Sequence, residues 1–230
     1  MIGFEIILFA LLFIGVYKYQ RNWKPVYPLF YTNGELIKIG HRGAPALAHE
    51  NTLASFTKAV ETGMNGVELD VQYSADKQLV VFHDWDLKTL NGSDKIIEKM
   101  PYSEIEKISL HDDDNNKIPL FREVLNVLSK KCIIVVEIKS VHFLNAGIEK
   151  NVLEIVKEFN FEENCIISSF NPLILWRIRK LNPNILTAFL WSKTDPQFSL
   201  NSPLWVWLCR PHAFHADIEH LDENLMSWIH

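Results

Sequence analysis

The sequence predicts an α/β fold built as a parallel (β/α) barrel, and three observations carry that expectation. From residue 36 onward, short apolar runs alternate with segments of helical periodicity, the pattern of repeated βαβ units. Polar residues recur where the apolar runs end: His41-Arg42, Glu68 and Asp70, Glu137 and Lys139, Ser168-Ser169. In a (β/α) barrel those strand ends gather at one face, where active sites sit. The competing architecture, an open doubly wound sheet, usually opens on a Gly-rich phosphate-binding turn, and the first strand is followed by no such turn.

Each element has its own local reason. Leu36 to Gly40 is a short apolar strand. Asn51-Thr52 can cap a helix, and Leu53, Phe56, Ala59 and Val60 recur at helical spacing until Gly63. Gly66 to Gln72 is a second strand, and a short turn leads to Leu79–Phe82, which ends at His83-Asp84. Residues 85–118 are polar and irregular, with Asn91-Gly92, an acidic run at 112–114 and a small helix near 102–108. Leu120 to Leu128 is helical, and Cys132 to Lys139 is a strongly apolar strand. A helix over 146–159, a strand over 165–170, a helix opened by Pro172 and a strand over 185–190 follow. A Trp-rich connection over 191–211 leads to a sixth barrel strand at 213–217 and a helix beginning near Glu219.

The N-terminus reads differently. Met1 to Tyr17 is apolar apart from Glu5, and Lys18, Arg21 and Lys24 follow among Tyr17, Tyr19 and Trp23. Aromatic and cationic residues at an apolar edge predict a single membrane anchor, with the positive flank and the domain behind it on the cytoplasmic side. The expected division is an anchor and basic flank at 1–24, a linker at 25–35 and a barrel domain at 36–230. Net charge is −5, which gives no basic surface for nucleic acid. Three cysteines without metal-type spacing read as reduced, partly buried thiols.

Strand alternation places Glu68, Asp70 and Gln72 on one face of their strand, and Glu137 and Lys139 on one face of another. If the opposite, apolar faces pack on helices, three carboxylates and a lysine point into the barrel mouth. Three close, buried carboxylates cannot all stay ionised without a cation. A hard divalent ion, Mg²⁺ or Ca²⁺, resolves the conflict. An ion-pair network of Glu68, Asp70 and Glu137 with Arg42 and Lys139 would resolve it as well. His41 and His83 both end apolar runs and suit general acid–base work, while Arg42 can fork onto a phosphate. Together these groups fit metal-assisted hydrolysis of a phosphodiester.

In order and spacing, His41-Arg42-Gly43, Glu50-Asn51-Thr52, Glu68-Leu69-Asp70-Val71, His83-Asp84 and Glu137-Ile138-Lys139 resemble the signature series of the glycerophosphodiester phosphodiesterase family. The resemblance covers residues 36 to about 220. It implies a (β/α)₈ barrel, of which the last two strands are missing from this sequence. It also implies a divalent metal on Glu68, Asp70 and Glu137, and His41 and His83 as the acid–base pair. Arg42 and Lys139 would be phosphate ligands, with Glu50, Asn51 and Asp84 behind them. The implied reaction proceeds through a cyclic phosphate and yields glycerol 3-phosphate and an alcohol. Lysophospholipase D-type members act instead on lysophospholipids or N-acyl glycerophosphoethanolamines, and the Trp-rich segment and anchor suit such a lipid substrate. A non-catalytic membrane protein on a truncated barrel is the alternative outside enzymology. The family usually has proline before Glu50, where this chain has His49.

Overall fold

The computed structural model describes residues 10–11, 13–15, 36–110, 113–128, 132–140, 147–192, 205–220 and 223. In chain order the main elements are β1 (Ile39–Gly40), α1 (Leu53–Glu61), β2 (Gly66–Tyr73), β3 (Leu79–Val81) and α2 (Phe121–Val127). There follow β4 (Ile133–Ile138), α3 (Ile148–Glu158), β5 (Cys165–Ser169) and α4 (Pro172–Leu181). The last are β6 (Leu186–Trp191), α5 (Trp205–Cys209) and β7 (Ala213–Ala216).

The strands form one sheet of order β1-β2-β4-β5-β6-β7, with β3 pairing antiparallel on β2. All other neighbours are parallel. Among the described residues the sheet is open between β1 and β7, an incomplete parallel barrel like the one expected from a strand series that lacks its last two members.

The expected membrane-spanning anchor is overturned as far as the described residues go, which include only 10–11 and 13–15 of it. No helix among the described residues is long and apolar enough to cross a membrane. The physical reason is length. The uncharged run Ile6–Val16 has 11 residues, and as a helix it would rise only about 16 Å at 1.5 Å per residue. A bilayer core is about 30 Å thick. The single-pass topology and the cytoplasmic placement that depended on it go with that helix, and a membrane partner is not established. Most of residues 1–35 lie outside the described set, as do 193–204 of the Trp-rich connection and nearly all of the helix expected from Glu219.

Local chemistry explains the elements that position the site. Helix α1 is capped by Thr52, whose hydroxyl accepts from the Ser55 N–H at 3.1 Å. Helix α4 starts with Pro172 and is capped by Asn171, which accepts from Leu173 N–H at 3.0 Å. The faces of β2 and β4 opposite the acidic residues, Val67, Leu69, Val71, Ile134, Val136 and Ile138, are buried against Phe56 of α1, Val124 of α2 and Val152 of α3. The concave side of the sheet has its own apolar floor of Ile133, Val135, Ile166, Leu186 and Ala188.

Residues 85–118 are more ordered than their polarity suggests. They form two small antiparallel ribbons, Asp86–Leu87 with Ser93–Ile96 and Ser109–Leu110 with Asp113–Lys117. Leu87, Ile97, Met100, Ile105, Leu110 and Ile118 bury a separate core against Val80 and Phe82. Apolar residues too widely spaced to show a period still meet in that cluster. Cys132, Cys165 and Cys209 are free and buried.

Candidate active site

Parallel register brings the site together. Asp70 of β2 pairs with Glu137 of β4, and Glu137 with Ser168 of β5. One oxygen from each of Glu68, Asp70 and Glu137 lies within 4.8 Å of the other two. This trio of hard oxygen donors could hold a divalent metal ion.

The electrostatics fit that use. Burial pushes the Glu68 carboxyl well above its ordinary range, and the neighbouring Asp70 and Glu137 charges push it further. Burial raises Glu137 to about 7, against the opposing pull of Lys139. A like-charged, half-dry cluster favours a cation between its members. Lys139 Nζ lies 3.4 Å from Glu137 Oε1 and 3.8 Å from Asp70 Oδ1, and stands over the Trp85 ring. Asp70 itself is 1% exposed and accepts from Asn51 Nδ2 at 2.9 Å.

The turn after β1 delivers Arg42. Gly43, at φ +91°, returns its N–H to the Gly40 carbonyl at 3.1 Å. The Arg42 backbone N–H donates to Glu68 Oε2 at 3.0 Å, and its Nη1 donates to Glu50 Oε1 at 2.8 Å. Arg42 Nε lies 3.5 Å from Asp70 Oδ2, an ion pair without a hydrogen bond. Both resolutions expected from the sequence are therefore built into one place. The carboxylates converge as metal ligands would, and the two cations pair with them.

His41 is the most exposed member, its Nε2 3.9 Å from Glu68 Oε2. Burial of the ring and the Arg42 charge lower its pKa. His83 Nδ1 lies 2.7 Å from Asp84 Oδ1. His41, Arg42, Glu68, His83, Glu137 and Lys139 all line one cavity of about 850 Å³. Asp70 lies beneath it, and Glu50 and Asn51 stand behind Arg42 and Asp70.

The cavity also has residues that the sequence reading did not single out. These are Trp85, His215 and Asp217, and they line it beside Ser168, already noted at its strand end, and Trp191 of the Trp-rich segment. His215 and Asp217 lie at or just past the C-terminal end of β7, so the rule that gathered the others applies to them. Burial lowers the pKa of His215.

Comparison with known proteins agrees with this geometry. Residues 41–228 match the Glycerophosphoryl diester phosphodiesterase family. A glycerophosphodiester phosphodiesterase of Caldanaerobacter subterraneus subsp. tengcongensis is 36% identical over 161 residues, covering 67% of this chain and 66% of that protein. The crystal structure of glycerophosphodiester phosphodiesterase from Thermotoga maritima superposes with a TM-score of 0.63 at 34% identity, over 80% of this chain and 75% of that one. An Oleispira antarctica phosphodiesterase, solved in complex with the product sn-glycerol-3-phosphate, superposes with a TM-score of 0.69 at 26% identity over 84% and 80%. The chain thus spans about two thirds to four fifths of these relatives. The family match over residues 41–228 and the relative at 36% identity show that the chain belongs to the glycerophosphoryl diester phosphodiesterase family.

Proposed function

We propose that this chain is a metal-dependent hydrolase that cleaves glycerophosphodiesters to glycerol 3-phosphate and an alcohol. One observation carries the reading: three carboxylates, two cations and two histidines converge on a single cavity. Glu68, Asp70 and Glu137 hold the metal, and a donor set of oxygens alone suits Mg²⁺ or Ca²⁺. When bound, the metal supplies positive charge against the phosphoryl oxygens.

The protein groups divide the remaining work. Arg42 and Lys139 neutralise non-bridging phosphate oxygens as charge builds on them. His41, lowered by burial and by Arg42, enters the reaction neutral and accepts the proton of the substrate's free glycerol hydroxyl. That oxygen bonds to phosphorus, the bond to the alcohol breaks, and His83 protonates the departing alkoxide. Asp84 on His83 Nδ1 fixes the tautomer that presents Nε2. Water then opens the cyclic phosphate with the two histidine roles reversed. The hydrolase unit is residues 36–230.

The test is a product assay on glycerophosphocholine with Mg²⁺ or Ca²⁺, with lysophosphatidylcholine as comparison. Release of glycerol 3-phosphate, abolished by chelation and by His41→Ala or His83→Ala, is the expected result. Absence of glycerophosphocholine hydrolysis by the full chain with either metal overturns the reading.

A further inference from the structure

Gln72 stands two residues beyond Asp70 on β2 and is 2% exposed. Its Nε2 donates to the carbonyl of Phe82 at 2.8 Å and to that of Asp84 at 2.8 Å. These are the residues immediately before and after His83. The same strand adds a third tether, because the Phe82 N–H donates to the Asp70 carbonyl at 3.1 Å. The β2–β3 ladder ends at Val71 and Val81. The Gln72 carboxamide therefore takes hold of the chain where the ladder stops.

The chemistry is specific to an amide. One nitrogen with two N–H bonds can reach two carbonyls at once, whereas a carboxylate offers no donor and an aliphatic chain offers nothing. Packing does not ask for glutamine here. Its Oε1 is buried and has no hydrogen-bond partner among the described residues, and a leucine would fill the space without that cost. The polar atom that is satisfied is the one that grips the His83 segment.

We infer that Gln72 is the positioning residue for His83, fixing the imidazole relative to the carboxylates on its own strand. The inference rests on the acid–base role proposed for His83. One strand then carries two metal ligands in its side chains and sets the histidine through the side chain two residues on.

The experiment uses the full chain with Gln72→Leu. Gln72→Asn, polar but one methylene short of both carbonyls, serves should the leucine variant not fold. Turnover of glycerophosphocholine is measured beside ¹³C-histidine NMR, with the His83 signal identified by its loss in His83→Ala. The expected result is a fall in kcat of about 100-fold, the cost of a displacement near 1 Å. KM and Mg²⁺ affinity stay within about twofold, since substrate and metal contacts are untouched. The His83 signal shifts or broadens while that of His41 does not. An unchanged His83 signal, or a His41 signal that moves as much as that of His83, overturns the inference. If the wild-type chain fails to hydrolyse glycerophosphocholine, the proposed function falls, and the NMR comparison still decides whether Gln72 holds His83.

Discussion

Asp70 and Glu137 face each other directly across the β2–β4 ladder, so their backbones are held at the spacing of neighbouring strands. Two carboxylates brought this close by pairing, with Glu68 two residues away, repel one another in a buried place. That relationship has a consequence for stability. Glu137 titrates near 7 when folded, above its ordinary 4.5. The folded state therefore binds more protons than the unfolded one in this interval. Stability from this group is full below about 4.5 and is lost as pH rises toward 7. With EDTA present, the part of the melting temperature owed to this cluster should fall between pH 5 and pH 8. Added Mg²⁺ or Ca²⁺ should raise the melting temperature more at pH 8 than at pH 5, because the ionised trio binds it. His212, lowered by burial to about 4, acts in the opposite sense between about 6.5 and 4 and cancels in the metal-minus-EDTA difference.

Gly43→Ala should disturb the site through the backbone. Gly43 has φ +91°, and a Cβ there would lie 2.3 Å from Ser55 Oγ. Ser55 Oγ accepts from Ala44 N–H and donates to the Arg42 carbonyl, so the clash strikes the bonds that hold the turn. A loss of about 1–3 kcal/mol is expected from the strained conformation alone. Denaturant unfolding gives that value, and metal titration by calorimetry should show weaker binding through the displaced Arg42–Glu68 contact.

Asp84→Asn should lower kcat by about 10- to 100-fold with little change in KM, the usual cost of removing a carboxylate that orients a functional histidine. The neutral amide can favour the wrong imidazole tautomer through the same 2.7 Å contact. Steady-state kinetics on glycerophosphocholine checks the split between the two constants.

Far from the cavity, Glu149 of α3 is 1% exposed and pairs with Arg177 of α4. Arg177→Met leaves a buried carboxylate without its cation, and a loss of about 3–5 kcal/mol follows. Chemical denaturation should register it, while metal affinity stays at the wild-type level.

Much of this was legible in the sequence because the period of a strand is two. Alternation alone placed Glu68 and Asp70 opposite Val67, Leu69 and Val71, and the buried apolar face confirms it. The starts of α1 and α4 followed from Thr52 and Pro172, whose chemistry is local, and the structure adds Asn171 as the cap of α4. What could not be read was set by distant contacts. The small core of residues 85–118 joins Leu87 to Ile118, which no local period connects. His215 and Asp217 are a different case, since the strand-end rule that gathered the other residues reaches them too. The membrane anchor was overread because flanking aromatics and cations were given more weight than the length of the apolar run.

Arg42 adopts φ 54°, the left-handed region that glycine occupies at lower cost. Its guanidinium is what the turn is built to deliver, and the backbone beneath it is the wrong one for any side chain. Glycine there would relax the turn but leave Glu50 and the buried Asp70 without their cation, a larger loss than the strain relieved. The strained backbone is thus held in place by the same charges it serves, and Arg42→Gly should be inactive and less stable than the wild type.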